Sequence, residues 1–162
     1  MATNFNNTLP AAPAGSVNIR WQTDGSGNDS AYVPISAQEL TSSNVDLTAQ
    51  AANIVTSTLF TPTASGLYRV SAYLIVTTVA STGASTSTLP SLTIGWTDTD
   101  NATPQTIVLT PTNAGNLLTT YQQASCVIDA VTAVAITYAT NSYASNTAAQ
   151  MKYSVHLRIE SF

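Results

Sequence analysis

The sequence has very few charged side chains. Of its 162 residues, four are Lys or Arg and eight are Asp or Glu, so 7% of the chain is charged and the formal net charge is -4. An average soluble domain carries about 25% charged residues. Four cations cannot neutralise a row of phosphates, and this excludes sequence-tolerant binding to nucleic acid.

Cysteine and histidine are also scarce, with one residue of each. A single Cys excludes a framework of intramolecular disulfides, and one His with one Cys supplies too few ligands for a zinc site. The apolar runs are far shorter than the roughly 18 residues that a membrane span needs. We therefore predict no metal, no cofactor and no insertion into a membrane.

The first ten residues have neither the basic start nor the apolar run that is typical of a secretory signal. The sequence therefore favours a protein that is cytosolic or is built into a particle without export.

Small uncharged polar side chains take the place of charge, since Ser and Thr occupy 45 positions. They must form much of the surface that Lys and Glu cover in other proteins. The length of the chain predicts one domain with a sizeable core, because chains of this size bury roughly 68 to 70% of their unfolded surface.

We predict two regions in the chain, residues 1–44 and residues 45–162. The first fifteen residues mix Pro, Ala and Asn without periodicity, which is typical of a disordered tail or of an extended anchoring arm. Residues 17–23 and 30–35 are β-rich runs on either side of a cluster of Gly, Asp and Asn, and this predicts a hairpin. An isolated hairpin is only marginally stable, so this one needs a partner surface.

From residue 45 onward, short segments rich in Val, Ile, Thr and Tyr alternate with residues that favour turns. Such segments are typical of strands. Eight of them, with almost no helical periodicity, predict an all-β sandwich or barrel. The predicted strands are 45–47, 53–60, 66–78, 91–97, 106–110, 117–129, 133–140 and 151–160.

Two of the predicted strands, 66–78 and 151–160, alternate completely between an apolar face and a second face. The apolar faces, which we expect in the core, hold Tyr68, Val70, Ala72, Leu74 and Val76 in one strand and Met151, Tyr153, Val155, Leu157 and Ile159 in the other. The second faces hold five of the 13 Lys, Arg, Asp, Glu and His side chains of the chain, namely Arg69, Lys152, His156, Arg158 and Glu160.

Two interpretations of these charged faces are open at this point. One is a solvated strand face, on which Lys and Arg discourage unwanted pairing of strand edges. The other is a subunit interface, where charges set the orientation of the subunits and Tyr73 supplies a rigid aromatic contact.

The segment LFTPTASGLYRVSAYLIV resembles the signature strand of the tumour necrosis factor superfamily and of the globular heads of the first complement component. In those families a Phe and a short polar stretch lead through Gly-x-Tyr into an alternating strand. Phe60, Pro62, Gly66 and Tyr68 occupy these places here, and the resemblance makes Phe60, Gly66 and Tyr68 a core signature. The later segments follow the same order, so that the resemblance covers residues 45–162.

This resemblance implies a jelly roll of about ten strands in two packed sheets, assembled as a compact homotrimer. In such trimers the sheet that holds the Gly-x-Tyr strand and the terminal strand faces the threefold axis. Carried over by position, the trimer contact is lined by Arg69, Ser71, Tyr73, His156 and Arg158. Relatives usually place large apolar or aromatic residues there, and the charges of this chain are a departure from that pattern.

The N-terminal stretch PAAPAGSVNIRWQTDGSGNDSAYVP resembles leader segments of bacteriophage structural proteins and of tail or fibre appendages. This resemblance implies that residues 1–35 attach the chain to other virion proteins. Together, the two resemblances imply a structural homotrimer in a phage or phage-like virion, as a fibre, tail appendage or decoration.

An alternative function is a trimeric binding module whose loops recognise a glycan or a receptor on a cell surface. The candidate loops are residues 81–90 and 141–149. Carbohydrate sites generally need aromatic platforms, and Tyr143 and Trp96 are the aromatic residues near these loops.

The sequence contains no pattern that indicates catalysis. His156 lies between two apolar residues on a predicted strand, and no Gly-x-Ser-x-Gly motif is present. The stretch from Asp98 to Asn101 predicts a turn held by side-chain hydrogen bonds rather than a calcium site. Cys126 is predicted to be a buried small hydrophobe. We therefore predict that the protein is not an enzyme.

Overall fold

The computed structural model describes residues 19–23, 29–34, 44–81, 87–145 and 150–162. The chain divides into two compact units, Met1–Ala37 and Gln38–Phe162. The part of the chain that is described contains no helix long and apolar enough to cross a membrane.

In the first unit, strand β1 (Ile19–Thr23) pairs antiparallel with strand β2 (Asp29–Pro34). The predicted pairing of these two runs is confirmed. The predicted arm, residues 1–15, lies outside the described residues.

The described part of the second unit contains ten strands, the number that the resemblance implies. They are β3 (Val45–Gln50), β4 (Ser57–Phe60), β5 (Gly66–Thr78), β6 (Thr88–Leu89), β7 (Ser91–Thr97), β8 (Pro104–Thr110), β9 (Asn113–Ala114), β10 (Tyr121–Ala130), β11 (Ile136–Asn141) and β12 (Lys152–Ser161). The short strands β6 and β9, which pair with each other, were not predicted, because two residues are too few to show an alternation.

The other eight strands form two four-stranded antiparallel sheets, in the orders β10-β5-β12-β3 and β4-β11-β7-β8. The first half of the chain pairs with the second half in a nested order: β3 with β12, β4 with β11, β5 with β10, and β7 with β8. This nesting arises when one long antiparallel pair of segments is rolled up, and it is the connectivity of an eight-stranded jelly roll. The predicted all-β jelly-roll sandwich is confirmed.

The core lies on the apolar faces of the strands, as the alternation predicts. Val70 and Leu74 of β5 and Val155, Leu157 and Ile159 of β12 are fully buried. The second sheet adds the buried residues Leu92, Ile94, Ile136 and Tyr138. Burial of one such side chain stabilises the fold by about 1.5 to 3 kcal/mol, so the central strands contribute a large share of the stability.

The residues of the core signature lie close together at the start of β5. The rings of Phe60 and Tyr68 are 5.8 Å apart, and the Tyr68 hydroxyl donates to the carbonyl of Ala64 at 2.7 Å. Gly66 has a φ of +152°, in a region that side-chain-bearing residues rarely adopt. A glycine is therefore required where the chain turns into β5.

Several predicted strand starts are wrong, with β11 beginning three residues later than predicted and β8 two residues earlier. The largest differences are of four residues. β4 begins at Ser57 rather than at residue 53, and β10 begins at Tyr121 rather than at residue 117. Before β10, the backbone N–H of Thr120 donates to the carbonyl of Leu117, which closes a turn. The apolar Leu117 thus belongs to a turn and is 64% exposed.

The predicted turn after β7 is confirmed. The Asp98 carboxylate accepts the backbone N–H groups of Asp100 and Asn101, at 3.0 and 3.4 Å. Cys126 on β10 is half-buried rather than buried, and burial raises the pKa of its thiol.

Candidate functional site

The side chains of the β10-β5-β12-β3 sheet that point away from the core form one surface, which we call the outer face. At the centre of this sheet, the antiparallel register places His156 opposite Tyr73 and Arg158 opposite Ser71. Side chains directly opposite each other on one face have Cβ atoms about 4.5 to 5.5 Å apart. Together with Arg69, two residues along β5 from Ser71, the five residues predicted for the trimer contact therefore lie together on the outer face.

Tyr73 lies at the centre of the outer face, between rings from both neighbouring strands. Its ring centroid is 5.9 Å from that of Tyr121 on β10 and 6.3 Å from that of His156 on β12. Ring pairs at such distances attract each other and restrict each other's orientation. The three rings therefore form an aromatic row across three strands.

Beside this row, one carboxylate receives two basic side chains. Asp46 on the edge strand β3 is opposite His156, and the His156 Nδ1 is 2.7 Å from the Asp46 Oδ1. The Arg158 Nη1 donates to both Asp46 oxygens at 3.3 Å. These contacts, that of His156 first and that of Arg158 second, hold the pKa of Asp46 below its usual value of 3.8.

A second ion pair lies further along β12, at its C-terminal end. Arg69 is opposite Glu160, and the Arg69 Nε donates to the Glu160 Oε2 at 2.8 Å. The Arg69 guanidinium also lies 5.7 Å from the ring centroid of Phe162. A cation over an aromatic face is attracted to the ring, so Phe162 extends the outer face at this end.

Between these features, the outer face has an open depression of about 370 Å³. Its polar lining consists of Ser71, Gln123 and Ser125. Ser71 and Ser125 are directly opposite each other on β5 and β10, and two small side chains in register leave the space above them unfilled.

Several large apolar side chains are exposed on or beside the outer face. Leu67 is 51% exposed, Tyr121 52%, Val127 56% and Phe162 68%. A cluster of exposed apolar residues among polar ones is typical of an interaction surface rather than of a face that only meets water.

Sequence reasoning missed Asp46, Tyr121 and Phe162 as parts of this surface. A local signal exists for Asp46, because it lies between two apolar residues in a predicted strand and must point outward. Its contact with His156 joins positions 110 residues apart, and no local pattern indicates such a pairing.

The aromatic residues of the alternative loop site have structural contacts. The Tyr143 hydroxyl donates to the carbonyl of Met151, its ring packs 5.5 Å from that of Tyr153, and burial raises its pKa. Trp96 packs against the core, and its Nε1 is buried. Both side chains are half-buried. Residues 82–86 and 146–149 of the two loops lie outside the described residues.

No protein-family model and no curated protein sequence matches this chain. Among solved structures, the chain is similar to the N-terminal endo-1,4-β-D-xylanase 10B of Clostridium thermocellum, a structure of CBM22-1 and GH10 modules complexed with xylohexaose. The TM-score is 0.36 at 15% identity, over 66% of this chain and 19% of that one.

The chain is also similar to a structure of infectious bursal disease virus, Gt strain. The TM-score is 0.39 at 19% identity, over 77% of this chain and 31% of that one. The chain thus spans less than a third of either neighbour. Both likenesses are distant, so the assignment of the jelly roll rests on the strand connectivity of the chain itself.

Proposed function

We propose that this protein is a non-enzymatic structural protein that assembles as a homotrimer through its outer face. One observation carries the proposal. The outer face combines exposed apolar and aromatic side chains with two ion pairs that form within one chain.

The pairing of the charges prepares this surface for burial. Glu160 is bound by Arg69, and Asp46 by Arg158. Moving a charge out of water costs several kcal/mol, and the cost is highest where the charge has no partner. On the outer face, another subunit can cover these side chains without leaving a carboxylate or a guanidinium unpaired.

The uncharged side chains supply the driving force for assembly. Removal of apolar surface from water contributes about 25 cal/mol per Å², and Tyr121, Val127 and Phe162 are each more than half exposed in the single chain. Interface cores are also enriched in Tyr and Arg. Tyr73 and Arg158, at the centre of the outer face, fit this composition.

The resemblance to the tumour necrosis factor superfamily supports threefold symmetry. In those trimers the sheet with the Gly-x-Tyr strand and the terminal strand faces the axis. Here the corresponding strands, β5 and β12, are neighbours at the centre of one sheet, and the outer face belongs to that sheet.

We further propose that the trimer is part of a phage or phage-like virion, as a fibre, tail appendage or decoration. The resemblance of the N-terminal stretch to phage leader segments supports this, with residues 1–35 attaching the chain to other virion proteins. A chain with 7% charged residues and 45 Ser or Thr suits a durable particle surface whose solubility does not depend on charge.

The assembly is tested by a matched pair of valine variants. Val127 on β10 is 56% exposed on the outer face, and Val108 on β8 of the other sheet is 60% exposed. We expect the unaltered chain to be trimeric at micromolar concentration by light scattering. Val127→Glu replaces exposed apolar surface with a charge in each contact and should yield monomers, whereas Val108→Glu should remain trimeric.

Two results would contradict the proposal. A monomeric unaltered chain at micromolar concentration would remove the trimer. A trimer that survives Val127→Glu but is lost with Val108→Glu would move the interface to the other sheet.

A further inference from the structure

We propose that strand β10 pairs edge to edge with β10 of a second copy of the chain, so that two β10-β5-β12-β3 sheets join into one. β10 is an edge strand, and its neighbour in the described sheet is β5. The backbone groups of an edge point along the plane of the sheet, whereas the outer face points away from that plane. The proposal therefore does not depend on the trimer.

The open side of β10 carries a row of backbone hydrogen-bonding groups. In an antiparallel pair, alternate residues of a strand direct their N–H and C=O groups away from the partner strand. Between residues 122 and 129, none of these outward groups has a hydrogen-bond partner among the described residues. At the two ends, the carbonyl of Tyr121 accepts from the Asn113 side chain, and Ala130 forms a bridge with Asp98. The open stretch thus lies in the middle of the strand.

The other three edge strands have features that hinder pairing with another chain. In β3, Ala49 has a φ of 55°, and the register with β12 shifts. β4 has four residues, and β8 begins at Pro104, which has no N–H to donate. β10, by contrast, has ten residues without Gly or Pro and an unbroken register with β5. Native sheets usually protect long, regular edges, so an unprotected one indicates a strand that receives a partner.

The charge distribution favours a second copy as that partner. Residues 121–128 are uncharged, and the strand has a single charge, Asp129, near its end. In an antiparallel pair of β10 strands, the two Asp129 carboxylates lie toward opposite ends and do not face each other. The whole chain has a net charge of -4, so two copies repel each other least where charge is absent.

A second β10 would also cover the margin of the core. Ala124 and Cys126 point into the sandwich, since they lie opposite the buried Ala72 and Val70 of β5. Both are half-buried and pack against the core from its edge. A strand added to β10 lies about 4.8 Å away, and its inward side chains cover these two residues. Removal of this apolar surface from water adds to the hydrogen bonds formed at the edge.

The symmetry of such a pair limits its register. Two identical antiparallel strands are related by a twofold axis perpendicular to the sheet, so residues opposite each other point to the same side. With the axis near the middle of β10, Cys126 lies opposite either Cys126 or Ala124 of the second copy. Opposite residues have Cα atoms about 4.5 to 5.5 Å apart, a distance that a disulfide can span.

Disulfide trapping of the full chain at micromolar concentration tests both registers. The unaltered chain, with Cys126 as its one cysteine, and Ala124→Cys are oxidised with diamide and run on a denaturing, non-reducing gel. We expect at least one of these two chains to run mostly as a linked pair. The control combines Ala124→Cys with Cys126→Ser. Its one cysteine faces no cysteine in either register, so this chain should stay single. Circular dichroism shows that each chain is folded.

Each outcome decides the proposal. A linked pair in the unaltered chain or in Ala124→Cys, with the control single, supports it. A contact through the outer face cannot produce this result, because both side chains point into the sandwich. Two unlinked chains overturn the proposal and leave the edge to a strand of another protein. Equal linkage in the control also overturns it, because linkage then needs no register. Light scattering reports separately whether the trimer of the proposed function exists.

Discussion

The hydroxyl oxygens of Thr140 and Tyr153 lie 3.0 Å apart in the core and join the two sheets of the sandwich. Thr140 belongs to β11 and Tyr153 to β12, so the contact crosses between the layers. The Tyr153 hydroxyl also donates to the carbonyl of Ala52 at 2.8 Å. Tyr153 and Thr140 are both buried, so their hydrogen bond lies where water does not reach.

Replacement of Tyr153 by Phe should lower the free energy of unfolding by about 1 to 3 kcal/mol, because the buried Thr140 hydroxyl loses a hydrogen bond while the ring is kept. Urea unfolding at a fixed chain concentration measures the loss. Tyr121→Phe is the control, since the Tyr121 hydroxyl has no hydrogen-bond partner among the described residues. A loss of equal size in both variants would contradict the role assigned to Tyr153.

Asp46 should make stability depend on pH in the acid range. Its pKa is lowered in the folded chain, so the stabilisation is present above the ordinary value of 3.8 and is lost as the pH falls through the lower folded value. We expect Asp46→Asn to flatten the decline of unfolding free energy between about pH 5 and pH 2. Asp100→Asn, in an exposed turn, is the matched control, and equal slopes for both variants would refute the assignment.

Asn116 should be the main link between the loop after β5 and the loop before β10. Its side chain is 6% exposed, accepts the N–H of Ala80 at 2.7 Å and donates to the carbonyl of the same residue at 2.9 Å. Asn116→Ala should cost about 1 to 3 kcal/mol, since it leaves both buried backbone groups unpaired. Asn113→Ala removes an exposed bond of 3.3 Å and should cost less than about 0.5 kcal/mol in the same unfolding measurement.

Gly66 should tolerate alanine poorly for a reason that is purely conformational. A Cβ at this position would meet no atom within 4 Å, but the φ of +152° is strained for any residue with a side chain. Gly66→Ala should therefore lower stability by roughly 1 to 3 kcal/mol. Thermal unfolding followed by circular dichroism checks this, and an unchanged midpoint would show that the backbone relaxes at no cost.

The sequence predicts the bounds of some strands better than those of others. The bounds of β5 and β7 agree with their predictions, and burial alternates from Leu67 to Thr77 in β5 and from Ser91 to Gly95 in β7. The start of β10 was placed too early, because Leu118 is apolar like a strand residue yet is 59% exposed in a turn. The apolar character of a residue alone does not show whether it lies in a strand or in an exposed turn.

The contacts on the outer face could likewise be predicted only in part from the sequence. The alternation of β12 indicates that His156 and Arg158 share a face, since residues two apart on a strand point the same way. That Arg69 meets Glu160 depends on the register of two strands 91 residues apart. Such pairings follow from the closing of the whole sheet, and they could not be predicted from either strand alone.

The central claim is that the outer face is the contact between three copies of the chain. A structure of the assembled protein tests it most directly. We predict a closed ring of three chains with Tyr73, Arg158 and Arg69 of each copy against its neighbours. An assembly in which Arg69 and Arg158 face solvent on the outside of the particle would contradict the account.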